Sequence, residues 1–300
     1  MRSIVLAMSI ALAATAFPAP ASARDREFVP ASAWQVARAP EYCRLVRAFA
    51  EGDEVVTFYL TQFQPGSSIS ALLVGEPFRR IRTDEKVRLQ FSPVYEEFER
   101  SYDVVTVGDN VPGFMFTSLP TGPVTMMTEE EAEAALAEAR NRPLAFPAYD
   151  VEEVDGVESL SIRWRGSEKI VLPMEYLKDA VGLLNRCTRE LVDSWGFDLE
   201  AHQLLTRRVE LSNPGDIGRN IDYPVNPMRR GYESTVRFRT IVAADGSIED
   251  CIVQAETIPK DFGAEVCRAV REKAEFLPAL DRTGTPIRSY YTTLVRFQLP

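Results

Sequence analysis

Residues 234–257 read STVRFRTIVAADGSIEDCIVQAET. Two runs of alternating apolar and polar residues flank Ala244-Asp245-Gly246. An Asp-Gly pair between such runs is a strong hairpin signal, because glycine accepts the positive φ that a tight turn demands. Along the first run Val236, Phe238 and Val242 share one face, leaving Arg237 and Arg239 on the other. Downstream, DFGAEVCRAVREKAEF carries Phe262, Val266, Ala269 and Val270 at helical spacing. The chain then closes with SYYTTLVRFQLP, where Tyr291, Thr293, Val295, Phe297 and Leu299 alternate with Tyr290, Thr292, Leu294, Arg296 and Gln298. Strand, strand, helix, strand predicts a small antiparallel sheet with a helix packed on one face.

At the other end, MRSIVLAMSIALAATAFPAPASA has one basic residue, an apolar run from Ile4 to Phe17, and Ala21-Ser22-Ala23 as a small-residue site. This pattern predicts a signal peptide over residues 1–23, cleaved before Arg24. An uncleaved anchor is the alternative, but Pro18 and Pro20 interrupt the run. The mature protein is then expected in an oxidising compartment, the bacterial periplasm, with no membrane span. The formal net charge of -10 gives no electrostatic reason to bind nucleic acid or an anionic membrane.

Four cysteines in such a compartment read as a disulfide framework, for which three connectivities exist. We expect Cys43 with Cys187 and Cys251 with Cys267. No Cys-x-x-Cys occurs, and the single histidine, His202, is far in sequence from every cysteine.

Between the ends, EVVTFYLTQF, SISALLVG, VRLQFSP, YDVVTVG and GFMFTSL each fall between Gly, Pro or Asp residues and predict an antiparallel meander. Thr128 with Glu131 forms a capping box that opens a helix running toward Pro143. ESLSIRWRGSEKIVLPM predicts a hairpin. A second long helix follows, with Met174, Leu177, Val181, Leu184, Leu191 and Trp195 on one stripe and Gly196 as its stop. Residues 197–221 have weak periodicity and contain Asn213-Pro214-Gly215, so they are expected as a linker. From Asp222 onward eleven basic residues balance eleven acidic ones, so the acidity lies upstream. The expected fold class is α+β. An antiparallel β-rich domain with two helices spans residues 24–196, and a smaller sheet with a packed helix spans residues 222–300.

The tail resembles the C-terminal domain of TonB energy transducers. The resemblance rests on Tyr223-Pro224, Gly231 ending a short helix, the Asp245-Gly246 turn and the aromatic-x-Pro of Phe276-Leu277-Pro278. It implies that Cys251 lies on the second strand and Cys267 on the helix above it, so that a bridge staples sheet to helix. It also implies that the last strand is an edge which recruits an extended segment of an outer-membrane receptor by strand addition, with Tyr290, Thr292, Leu294, Arg296 and Gln298 on the partner-binding strand. Arg237, Arg239 and Arg296 form a basic patch on the sheet face away from the helix. This patch is either solvated or docks an acidic surface, whether the N-terminal domain or a partner. The departure from the family is the missing transmembrane helix and proline-rich spacer, which implies binding without transduction.

No G-x-S-x-G, H-E-x-x-H, Walker loop or G-x-G-x-x-G occurs, and catalysis with histidine as base would rest on His202 alone. Asp150, Glu152, Glu153, Asp155 and Glu158 cluster around a turn, but Val151 and Val154 break the EF-hand spacing. The expected function is therefore non-enzymatic binding of envelope proteins, with no cofactor and no metal. A membrane-anchored TonB-type transducer and an enzyme housed in the N-terminal domain are the alternatives.

Overall fold

The computed structural model describes residues 25–80, 86–119, 128–131, 133–134, 144–164, 168–257 and 260–299. The leader and most of the first expected helix lie outside these residues. Of that helix, the capping box is in place: the Thr128 hydroxyl accepts from the Glu131 amide at 3.2 Å, and Glu131 accepts from the Thr128 amide at 2.8 Å.

The expected single meander is instead divided between two sheets. One has the order Val29–Pro30, Tyr42–Glu51, Glu54–Gln62, Ser70–Gly75, Val111–Phe116, Asp103–Val107, with Gln35–Ala39 also paired to Tyr42–Glu51. The other has the order Arg26–Glu27, Ile170–Pro173, Ser159–Arg163, Val87–Ser92, Phe98–Arg100. Alternation marks Val87–Ser92 as a strand but says nothing about its neighbour, which is why the meander reading misplaces it. Leu45, Phe58, Leu73 and Phe114 from the first sheet share one core with Leu89, Leu160, Ile162 and Leu172 from the second. Each such side chain contributes about 1.5–3 kcal/mol on burial.

The strand Tyr42–Glu51 turns Cys43, Leu45, Arg47 and Phe49 inward. Buried Arg47 is tolerated because one guanidinium nitrogen donates to the Glu175 carbonyl at 2.9 Å and another pairs with the Glu175 carboxylate at 3.2 Å. The helix Leu177–Ser194 buries Leu177, Val181, Leu184 and Leu191, as its stripe predicts, and packs on Tyr42–Glu51. Gly196, at φ +75°, follows its end. Cys187 on this helix is bonded to Cys43 on the strand. The acidic residues around Asp155 have local partners: Asp150 accepts from the Glu152 amide, and Lys178 reaches both Glu152 and Asp155 at 2.9 Å.

In the tail, Ser234–Val242 lies between Ile248–Glu256 and Ser289–Phe297, antiparallel to both. The hairpin turn has Gly246 at φ +88°, and Asp245 Oδ1 accepts from the amide and hydroxyl of Ser247. The helix Gly263–Lys273 covers Val236, Phe238 and Phe297 with Val266 and Val270, and the Cys251–Cys267 bond joins it to the second strand. Its first turn is capped by Glu256, whose Oε1 accepts from the amides of Phe262 and Gly263.

Residues 197–221 form elements of their own. Leu204–Arg207 pairs with Leu144–Ala145 on one side and Ala279–Asp281 on the other, in a sheet completed by Pro286–Ile287. Glu210–Leu211 pairs with Phe276–Leu277, and Pro214–Asn220 is helical. Strands of two to four residues are too short to show periodicity. Leu205 within Leu204–Arg207, and Val209 just before Glu210–Leu211, are buried.

Candidate functional site

The site is built on the last strand, Ser289–Phe297, which pairs only with Ser234–Val242 among the described residues. Its polarity follows from hydrogen bonds on the far strand. The Thr257 amide donates to the Thr235 carbonyl, while the Cys251 backbone, opposite Thr240, is bonded away from the sheet to Asp250 and Arg271. Odd-numbered residues of the central strand therefore direct their backbone groups to the second strand, and even-numbered ones to the last strand. In an antiparallel ladder this pairs Val236 with Val295 and Phe238 with Thr293 through hydrogen bonds. The amides and carbonyls of Thr292, Leu294 and Arg296 consequently point to the open edge.

That edge borders a groove of about 450 Å³, whose opposite wall carries Leu211, Ile217, Ile221 and Tyr223. Leu294, Arg296 and Gln298 line it, together with Thr293 and Val295. Tyr223 of the Tyr-Pro pair packs edge-on to Phe262 and Phe297, with centroids 5.6 and 5.5 Å away. The helix Val225–Arg230 ends at Gly231, φ +70°. Phe276 lies 5.3 Å from the Tyr291 ring. Of these residues Tyr223 lines the groove itself, and Phe276 packs on Tyr291, which also lines it.

The five residues expected on a partner-binding strand, Tyr290, Thr292, Leu294, Arg296 and Gln298, divide into two sets. Tyr290 and Thr292 line a different cavity, because the face they share with Arg237 and Arg239 is covered by the N-terminal part of the chain. Tyr290 packs against Trp195 at 5.5 Å and Phe197 at 5.3 Å, and burial pushes its phenol well up. It is therefore packed, half-buried, against the N-terminal part of the chain.

Two of the three arginines of the basic patch, Arg237 and Arg239, are buried against the N-terminal part of the chain. Arg239 Nη2 and Nε reach the Glu41 carboxylate at 2.8 and 3.1 Å, and its Cζ sits 3.9 Å from the Trp195 ring centroid. Arg237 lies over Phe63 at 4.7 Å, where burial lowers its pKa. Gln254 donates to the Phe63 carbonyl at 3.0 Å. Arg296 meets Asp103 at 3.3 Å; both are well exposed, so this contact contributes about 0–1 kcal/mol. The acidic surface expected as a possible partner for the patch is thus Glu41 and Asp103 of the same chain.

His202 was visible in the sequence only as an isolated residue. Its Nδ1 lies 2.6 Å from the Asp198 carbonyl and its Nε2 lies 2.9 Å from Ser289 Oγ. A carbonyl only accepts, so the proton is on Nδ1, and Nε2 accepts from the serine hydroxyl. Burial holds this imidazole below its usual pKa and therefore neutral. The pairing has the form of a nucleophile and base, but Ser289 is only 3 % exposed and the orienting group is a carbonyl rather than a carboxylate. Its geometry suits a clasp between the segment around 202 and the start of the last strand.

Residues 219–299 match the family model described as Gram-negative bacterial TonB protein C-terminal. No curated protein matches the chain. Domains of this family are envelope-associated protein-interaction modules without enzymatic activity. No helix among the described residues is long and apolar enough to cross a membrane.

Proposed function

We propose, from the premise that residues 219–299 are a TonB C-terminal domain, that this protein binds an extended segment of an envelope protein along the outer edge of Ser289–Phe297. The chain acts in the periplasm after removal of residues 1–23, as a binder and not as a transducer. An outer-membrane receptor of the TonB-dependent type is the partner class that the family favours.

The observation that carries this reading is the strand's open side: outward backbone groups at Leu294 and Arg296 face a groove with an apolar far wall. An added strand gains main-chain hydrogen bonds from that edge, and its alternate side chains meet Ile217, Ile221 and Tyr223. Arg296 and Gln298, both exposed, flank the groove at the end of the strand.

The test is in-cell crosslinking with a photoreactive residue at Gln298, and at Glu272 on the exposed side of the tail helix as a control. The expected adduct forms from 298 only and maps to an extended periplasmic segment of a membrane protein. It is lost with Leu294→Pro, which removes one outward amide. Equal adducts from both positions, or an adduct untouched by Leu294→Pro in a variant that keeps its circular dichroism spectrum, would overturn strand addition.

A further inference from the structure

The larger sheet of the N-terminal part ends on one side at Asp103–Val107, which pairs only with Val111–Phe116 among the described residues. A proline fixes the polarity of this edge. Pro112 stands opposite Thr106 and has no amide to give, so the ladder bonds run between the neighbouring pairs, Val105 with Gly113 and Val107 with Val111. The amides and carbonyls of Val104 and Thr106 therefore point away from the sheet, and none has a partner among the described residues.

The edge lacks the devices that keep strands apart. Its sequence, Asp-Val-Val-Thr-Val, holds no lysine and no proline, its register is unbroken by a bulge, and Val104 is 40 % exposed. By contrast, Arg26–Glu27, Val29–Pro30 and Phe98–Arg100 are only two or three residues long, and Gln35–Ala39 carries Arg38.

The edge is also complementary to itself. Turned about a two-fold axis through Val105, it sets Val104 opposite Thr106 of a second copy and Thr106 opposite that copy's Val104, so that outward groups meet outward groups. Val105 then faces Val105 in the pairing without hydrogen bonds, where side chains approach most closely. Each Asp103 falls opposite Val107 rather than opposite its like, so the register brings no equal charges together.

We propose that Asp103–Val107 is the contact by which two copies of this protein join, antiparallel and edge to edge, merging their larger sheets into one. A foreign strand would find no charge to recognise except Asp103, which Arg296 of the same chain already holds. A second copy instead matches β-branched residues to β-branched residues between the two ends of the ladder. Arg296 also lines the edge groove, so the dimer carries one groove at each end of the shared ladder and offers two sites at once. The pairing itself does not depend on what the groove binds.

The test is sedimentation velocity of the disulfide-intact protein from about 1 to 500 µM, a span that includes the weak association expected of a small interface. The expected result is a concentration-dependent dimer. Val105→Lys and Val105→Glu each set like charges face to face on the axis, so either variant alone should sediment as a monomer, and the two mixed in equal amounts should form the heterodimer. Thr106→Pro removes an outward amide opposite Pro112, so the sheet keeps its own ladder while the dimer weakens at least about tenfold. A wild type that stays monomeric throughout, a Val105→Lys or Thr106→Pro protein that dimerises as the wild type does, or a mixture of the charged variants that stays monomeric would each overturn the proposal.

Discussion

Glu41 and Arg239 stand 198 residues apart and meet as a fork on a fork, with the arginine side chain 4 % exposed and the glutamate 21 %. The pair closes the junction between the β-rich part and the tail, with Trp195 stacked on the guanidinium. Removing one member strands the other. We expect Glu41→Ala to cost about 3 kcal/mol in urea unfolding, and the Glu41→Ala, Arg239→Ala double variant to cost clearly less than the sum of the singles. Additive losses would mean that the two residues act independently.

The disulfides close loops of very different length, with sequence separations of 144 and 16. Chain entropy then predicts that replacing Cys43 and Cys187 by alanine costs about 5 kcal/mol, against about 3 kcal/mol for Cys251 and Cys267. Denaturation of the two double variants under identical conditions checks the order. The reverse order would show that the short staple's packing outweighs loop closure.

His202 gives a defined acid response. Its folded pKa is held down by burial, with the Asp198 carbonyl opposing that shift. The unfolded chain then binds the extra proton first, so stability falls as pH drops below the free histidine value of about 6.5 and levels off below the folded pKa. Above that value His202 contributes no pH dependence. Unfolding free energies between pH 7.5 and 5 should show this slope in the wild type and lose it in His202→Gln. An imidazole signal that titrates near 6.5 in the folded protein would contradict it.

Two glycines respond in opposite directions. A Cβ on Gly263 would stand 2.7 Å from Val253 Cγ2 and 2.9 Å from the Glu256 carboxylate that caps the helix, so Gly263→Ala should cost about 1–3 kcal/mol. Gly182, inside the helix Leu177–Ser194, has nothing within 4 Å of that position, and Gly182→Ala should add about 0.5–1 kcal/mol. Thermal melts of the two variants separate these signs directly.

The tail was legible because its signals are local. Asp245-Gly246 marks the turn, and the parity of Arg237 and Arg239 sets the two faces. What covers the second face was not legible, since Glu41 and Phe63 arrive from the other end of the chain. Tyr42–Glu51 was obscured for a related reason: Arg47 at an inward position breaks the apolar alternation and is explained only by Glu175. The last strand could be named from its alternation, and its place at the edge from the resemblance of the tail. The cavity beside it could not, because loop 64–68, Phe146, His202 and Tyr290 converge only in three dimensions.

Leu204–Arg207 bridges Leu144–Ala145 and Ala279–Asp281, whereas the family match begins at residue 219. The recognised module is therefore not a portable cassette here. Excised at 219, it would leave Ala279–Asp281 without one of its two strand neighbours, and the cluster of Val242, Phe276 and Ala279 without Val209. A graft or gene fusion that respected the family boundary would inherit an unfinished piece, and the natural unit of exchange in this protein starts upstream of Leu204.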